Sequence, residues 1–192
     1  MDELKFAVIG NPVSHSLSPD IHLFFASQFQ LERYTYNKIK SNENDFERDI
    51  NDFFKNGGVG LNVTVPFKGL AYNLCDELDQ SAGLCKSVNT VLIDSGKLIG
   101  HSTDGQGLID DFLHKEITLE DSKILIIGAG GSAASIISSL LSHGKIKEIS
   151  ILNRTKSNAL RLLDLFETNR LLMHEEGDEY DIVINTTPIS MN

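Results

Sequence analysis

Three sets of residues in this 192-residue chain could do chemistry: a glycine turn, a basic loop, and a scatter of hydroxyls, amides and one lysine. Gly128-Ala129-Gly130-Gly131-Ser132-Ala133 follows the apolar run Lys123–Gly128 and opens a stretch of helical spacing. That context gives weight to an otherwise weak G-x-G-x-x-A pattern. Gly128 would permit a tight turn, Gly130 would let main-chain N–H groups approach a pyrophosphate, and Ala133 would let a helix lie close on the strand. The helix start adds a partial positive charge where Gly131 and Ser132 begin it. The plain alternative is a glycine turn that merely packs. The next β-like run ends in Asn153-Arg154-Thr155-Lys156, where an NAD site would carry an acid for the ribose. Arginine can hold a 2′-phosphate bidentately and stack on adenine, so this loop favours NADP over NAD. A solvated basic loop is its ordinary counterpart.

The first half carries polar residues of another kind. Gly10-Asn11-Pro12-Val13-Ser14-His15-Ser16-Leu17-Ser18-Pro19 offers Ser16 and Ser18 as hydroxyl donors for a small polyhydroxy or carboxylate ligand. Asn62 and Thr64 share one face of an extended run whose end delivers Lys68. Asn89 and Thr90 place an amide and a hydroxyl in Ser87–Asp94, and Ser102-Thr103-Asp104-Gly105 supplies a carboxylate. Singly these signals are weak, since serine-rich caps are usually only caps and a lone lysine is usually a surface charge.

Short β-like runs alternate with helical ones, which predicts a mainly parallel sheet covered by helices. Phe6–Gly10, Tyr34–Ile39, Val59–Val65 and Ser87–Asp94 read as extended. Helices are expected from Pro19, with Ser18 as N-cap, at Phe46–Phe54 and over Lys68–Leu78. Lys123–Gly128, Ser132–His143, Glu148–Asn153, Lys156–Phe166 and Asp181–Asn185 read as βαβαβ, half of a doubly wound Rossmann-like fold. Gly100–Gly107 looks like a junction and Leu108–Leu113 a connecting helix. The expected domains are residues 1–103 and 104–192.

Composition narrows the partners. Lys and Arg number 17 against 27 Asp and Glu, a formal charge of −10 that disfavours nucleic acid and anionic membrane surfaces. No apolar run approaches membrane-spanning length and the start shows no signal-peptide pattern, so a cytoplasmic protein is expected. Cys75 and Cys85 form no framework and read as core packing, and the six histidines show no ligand spacing, so no metal is expected.

The motifs GNPVSHSLSP, NVTVPFK, SVNTV, TDGxG, GAGGSA, NRT and NTTP, in this order, resemble shikimate dehydrogenase across nearly the whole chain. The resemblance implies reduction of 3-dehydroshikimate to shikimate with NADPH, toward chorismate and the aromatic amino acids. It implies an α/β architecture with an N-terminal substrate domain and a Rossmann-like cofactor domain. Substrate hydroxyl and carboxylate groups would meet Ser16, Ser18, Thr64, Asn89 and Asp104, with Lys68 as catalytic acid/base paired with Asp104. An ammonium there could stabilise charge developing on the ketone oxygen and supply its proton. A quinate/shikimate dehydrogenase of the same family is the runner-up; a non-catalytic shikimate- or dinucleotide-binding module is a third reading.

Departures from the family pattern are Lys86-Ser87 where Gly-Ala is usual, Ser102 for Asn, Asn158 where many relatives carry a cation, and Gln80 where an acid is common. The larger departure is the end, at Thr187-Pro188-Ile189-Ser190-Met191-Asn192. The expectation is a chain lacking its C-terminal portion, with only the first half of the doubly wound sheet and Lys123–Gly128 bordering exposed apolar surface.

Overall fold

Period-two alternation along the first strand sorts its side chains onto two faces of a sheet. In β1 (Leu4–Gly10), Ala7 and Ile9 are fully buried in one core, whereas Phe6 and Val8 belong to another. The chain continues through α1 (Ser18–Gln28), β2 (Tyr34–Lys40), α2 (Phe46–Lys55), β3 (Gly58–Val63), α3 (Lys68–Leu74), β4 (Glu77–Leu78), α4 (Gln80–Cys85), β5 (Thr90–Asp94) and β6 (Lys97–His101). The computed structural model describes residues 3–187 and resolves into two units. One runs to Gly83 and takes up Val88–His101; the other comprises Leu84–Ser87 and everything from Ser102 onward.

The first unit carries a sheet ordered β2-β1-β3-β5-β6-β4. Its β1–β2, β1–β3 and β4–β6 pairs are parallel, while β3–β5 and β5–β6 are antiparallel, so the expected mainly parallel sheet is a mixed one. The larger core joins Ala7, Ile9, Leu61, Val63 and Val91 to a stripe on α2, Phe46, Ile50 and Phe54, and to Phe67 and Ala71 at α3. The stripe follows the four-residue spacing of one helix face. Burying a ring such as Phe67, 1% exposed, is worth roughly 1.5–3 kcal/mol. In α1 the pattern is different: Ala26 is its buried residue, while Phe24 and the C-cap Phe29 are 61% and 76% exposed.

Three local expectations change here. Ser18 opens α1 rather than capping it; Leu17 is the N-cap, and the Ser16 hydroxyl accepts the Ser18 N–H at 3.3 Å. The helix expected through Leu78 stops at Leu74, because Asp76 exchanges bonds with Leu98, its N–H to the Leu98 carbonyl at 2.9 Å and its carboxylate to the Leu98 N–H at 2.8 Å. That pairing draws Glu77–Leu78 into the sheet beside β6. The junction expected over Gly100–Gly107 does contain the break between the units, after His101, but most of it is regular: the end of β6 and a helix from Asp104.

The second unit holds α5 (Asp104–His114), β7 (Lys123–Ile127), α6 (Gly131–His143), β8 (Glu148–Leu152), α7 (Lys156–Phe166), β9 (Leu171–Met173) and β10 (Ile182–Asn185). Its sheet, β10-β7-β8-β9, is parallel throughout. The expected βαβαβ therefore closes with β9, three residues too short to declare themselves in sequence, and β10 crosses to the far side of β7. Flanked by β8 and β10, β7 keeps Ile124 and Ile126 fully buried rather than bordering exposed surface. The reversal of strand order between β8 and β10 makes the C-terminal end of β7 a topological switch point, the usual ligand position in such sheets. Helices α5 and α6 approach closely at Gly105, where a Cβ would fall 2.2 Å from the Ser135 carbonyl oxygen. Pro188 of the NTTP motif and the residues beyond it lie outside the described residues.

Candidate functional site

In the first unit, Ser16 before α1, Ser18 at its start and the amides in and beside the central strands belong to one hydrogen-bonded series. Ser16 Oγ donates to Ser18 Oγ at 3.1 Å, and Ser18 is hydrogen-bonded in turn to the Tyr36 phenol. Tyr36 donates to Asn62 Oδ1 at 2.6 Å. Asn62 Nδ2 donates to Thr90 Oγ1 at 3.2 Å and to the Asn89 carbonyl at 3.4 Å, and Thr90 Oγ1 donates to Asn89 Oδ1 at 3.2 Å. The sheet explains the series: Asn62 lies opposite Val8 on one side and Thr90 on the other, on the face that Tyr36 shares.

Burial pushes the Tyr36 phenol up to about 12, against a lowering contribution from the Ser18 hydrogen bond. His22 of α1 stacks on that ring at 4.4 Å between centroids, and burial holds its imidazole below the ordinary histidine value. Sequence reasoning missed Tyr36, because a tyrosine alternating in a strand looks like core.

Thr64 and Lys68 sit just past β3. Thr64 donates its N–H to the Ile9 carbonyl at 2.9 Å, and its methyl presses on Gly10, where a Cβ would lie 2.2 Å away. Gly10 is thus required for the two loops to approach, and Asn11 N–H completes the tie to the Val65 carbonyl at 2.9 Å. Lys68 is the first residue of α3, behind the buried N-cap Phe67. Its carbonyl accepts the Val88 N–H at 3.0 Å, which brings the start of α3 beside Asn89; the strand expected from Ser87 begins only at Thr90. Lys68, Ser16, Ser18, Thr64 and Asn89 are all in the first unit; Asp104 is in the second.

Asp104 begins α5 and accepts the Ser132 hydroxyl at 3.2 Å, so the carboxylate is tied to the first turn of α6. Behind it, Ser102 Oγ donates to Ser135 Oγ at 2.8 Å, which accepts the Gly105 N–H at 3.0 Å, and Cys85 Sγ lies 3.3 Å from Ser102. Ser102, which stands where the family pattern has Asn, is 5% exposed and fastens this unit internally. Cys85 is buried in this unit's core as expected; Cys75 packs against the other core, and burial raises its thiol to about 11.

The glycine turn has the geometry its residue types require. Gly128 sits at φ +114°, and a Cβ there would meet Thr186 Oγ1 at 2.3 Å. Gly130 is the extended N-cap of α6, faces open space, and no side chain caps the helix. Ala133 is fully buried under the helix. Uncapped N–H groups at a helix start, behind a glycine with nothing in front of it, fit a pyrophosphate. After β8, Asn153 Nδ2 donates to the Thr155 carbonyl at 2.9 Å, folding a turn from which Arg154, Thr155 and Lys156 are exposed. Asn158 accepts from Arg161 at 2.6 Å. Among the described residues no three metal-ligating side chains converge, and no helix is long and apolar enough to cross a membrane.

Comparison with known proteins gives a consistent picture. Residues 8–91 match the family model described as shikimate dehydrogenase substrate binding domain, and residues 112–190 match shikimate / quinate 5-dehydrogenase. A shikimate dehydrogenase (NADP(+)) of Vibrio campbellii is 40% identical over 98% of this chain and 69% of its own length. One from Acinetobacter baumannii is also 40% identical, with 74% of its length covered. The crystal structure of shikimate 5-dehydrogenase from Thermus thermophilus in complex with NADP(H) and shikimate is similar at TM-score 0.86 and 31% identity, over 96% of this chain and 69% of that one. Shikimate dehydrogenase from Aquifex aeolicus is similar at TM-score 0.89 and 28% identity, over 99% of this chain and 71% of that one.

Proposed function

The chain belongs to the shikimate dehydrogenase family, and from that premise we propose that it reduces 3-dehydroshikimate to shikimate with NADPH. The product leads to chorismate and the aromatic amino acids, and the cytoplasm is where such a step belongs. The observation that carries the reading is the 40% identity to NADP-dependent relatives over 98% of the chain. The polar series of the first unit and the open glycine turn of the second support it. We take residues 1–103 as the substrate domain and 104–192 as the cofactor domain.

In this reading Ser16, Ser18, Thr64 and Asn89 hold hydroxyl and carboxylate groups of the ring, and Asp104 takes a further hydroxyl. Leaving such groups unpaired against a deoxygenated analogue gives discrimination. Lys68 is the acid/base: its ammonium stabilises charge developing on the substrate oxygen and passes a proton to it, and the neutral amine takes the proton back in the reverse direction. Gly128, Ala129, Gly130, Gly131 and Ser132 hold the pyrophosphate, while Asn153, Arg154, Thr155 and Lys156 hold the adenosine 2′-phosphate. When bound, NADPH supplies the hydride.

Absorbance at the nicotinamide band, with NADP and shikimate added to the chain, tests the reading. Turnover that is faster with NADP than with NAD is expected. The family model covering residues 112–190 is described for both shikimate and quinate, so quinate is the second substrate to try. Turnover of quinate alone would move the assignment there, and binding of shikimate without turnover would favour a non-catalytic module.

A further inference from the structure

We propose that Tyr36 is a positioning residue for the substrate: it takes the Ser18 proton and holds the Asn62 amide, so that Ser18 meets a substrate hydroxyl as an acceptor and Asn89 is held in place through Thr90. The inference rests on the function proposed above and adds a residue that acts through Ser18 and Asn62.

The argument starts from a proton inventory. A phenol has one proton, and Tyr36 donates it to Asn62 Oδ1 at 2.6 Å. Toward Ser18 it must then act as acceptor, so the Ser18 proton points at Tyr36, while Ser18 Oγ receives the Ser16 proton at 3.1 Å. On the other side, holding Asn62 Oδ1 toward Tyr36 fixes the amide so that Nδ2 faces Thr90 and the Asn89 carbonyl. Thr90 then passes its own proton to Asn89 Oδ1. A single directed chain therefore runs from Ser16 to Asn89, and Tyr36 is its centre.

Two features keep that centre ready before a ligand arrives. The ring is 5% exposed, lies against Val8 and Val13, and is stacked by His22. Its phenol, with a pKa of about 12, keeps its proton throughout the physiological range. Bonds linked head to tail polarise one another, and groups fixed in advance lose less freedom on binding. Without the hydroxyl, Ser18 loses its acceptor, Asn62 loses its donor, and the amide is free to turn over.

The test is calorimetric titration of the whole chain with shikimate, for the unaltered protein, Tyr36→Phe, Ser18→Ala and the double variant. The expected result is about tenfold weaker shikimate binding in Tyr36→Phe, in line with orphaning a part-buried polar group, with NADP affinity unchanged. The double variant should bind clearly better than the product of the single effects predicts, because Tyr36 acts through Ser18. A merely structural role would lower the melting temperature while leaving shikimate affinity alone, and that outcome overturns the proposal, as does strict additivity. Should Tyr36→Phe fail to fold, Thr90→Val interrupts the same chain beyond Asn62 with the Tyr36 ring intact; several-fold weaker binding is expected, and unchanged binding overturns the inference. If the unaltered chain does not bind shikimate at all, the proposed function falls and this inference with it.

Discussion

The first unit arranges its polar groups by bonding them to one another, while the second arranges main chain and leaves space. In one, Ser16, Ser18, Tyr36, Asn62, Thr90 and Asn89 form a series of side-chain bonds across a mixed sheet. In the other, a positive-φ glycine, an open glycine and an uncapped helix start do the positioning at the end of a parallel strand. The difference follows from what each is proposed to hold. A pyrophosphate asks for several N–H donors that any residue supplies, so the side chain's best contribution is to be absent. A hydroxylated ring acid asks for donors and acceptors in a fixed pattern, which needs particular side chains held in particular senses.

If the contrast is right, substitutions in the two units should fail differently. The largest effect is expected from Lys68→Ala. Loss of a positioned acid/base should lower kcat by roughly 10²–10⁴-fold, with shikimate affinity by calorimetry little changed. Weakened binding with normal saturated turnover would move Lys68 into the recognition group. Next come the two glycines. Gly128→Val meets both a φ of +114° and Thr186, so dinucleotide binding and the unfolding midpoint should both drop; Gly130→Val fills open space at φ −94°, so binding should drop while the midpoint stays. Equal midpoints for the two variants would break the claim that, of this pair, Gly128 is the conformationally obligatory one.

A smaller change is expected at Arg154. Arg154→Ser should weaken NADP by about tenfold, the order of one charge-assisted contact, with NAD affinity unaltered and the difference shrinking as salt rises. Equal losses for both nucleotides would remove the 2′-phosphate from its role.

The smallest effect is a pH dependence. Folding raises the Tyr36 phenol from 10.0 to about 12. A raised pKa stabilises the fold while the group is protonated in both states, and that contribution is lost as pH climbs from about 10 to about 12. Chemical denaturation across that window should show a steeper fall for the unaltered chain than for Tyr36→Phe, whereas parallel curves would mean the phenol is not buried in solution.

How much of this was legible beforehand depends on whether a residue's role is local. Gly128, Gly130 and Ala133 announce themselves because a tight turn, an open approach and a close helix are properties of a short stretch, and strand, loop and helix follow one another in sequence. The positioning of Thr64 against Gly10 and of Tyr36 against Asn62 depends on strand order, which brings together residues 26 or more positions apart. No spacing rule reports that. Helix α3 ends early for a similar reason, since the competing partner of Asp76 is Leu98 on a strand not yet reached. The second sheet was nearly readable, and the exception, β9, is only Leu171–Met173.

The contact at Gly105 has a genealogical side. With no side chain in the way, α5 rests on the backbone of α6, and Asp104 at its start is tied to Ser132. The carboxylate is thus inherited with the second unit, although its proposed client is the hydroxylated ring acid. Exchange of the segment after His101 between related genes would carry Asp104, Gly128 and Arg154 together and leave Lys68 behind.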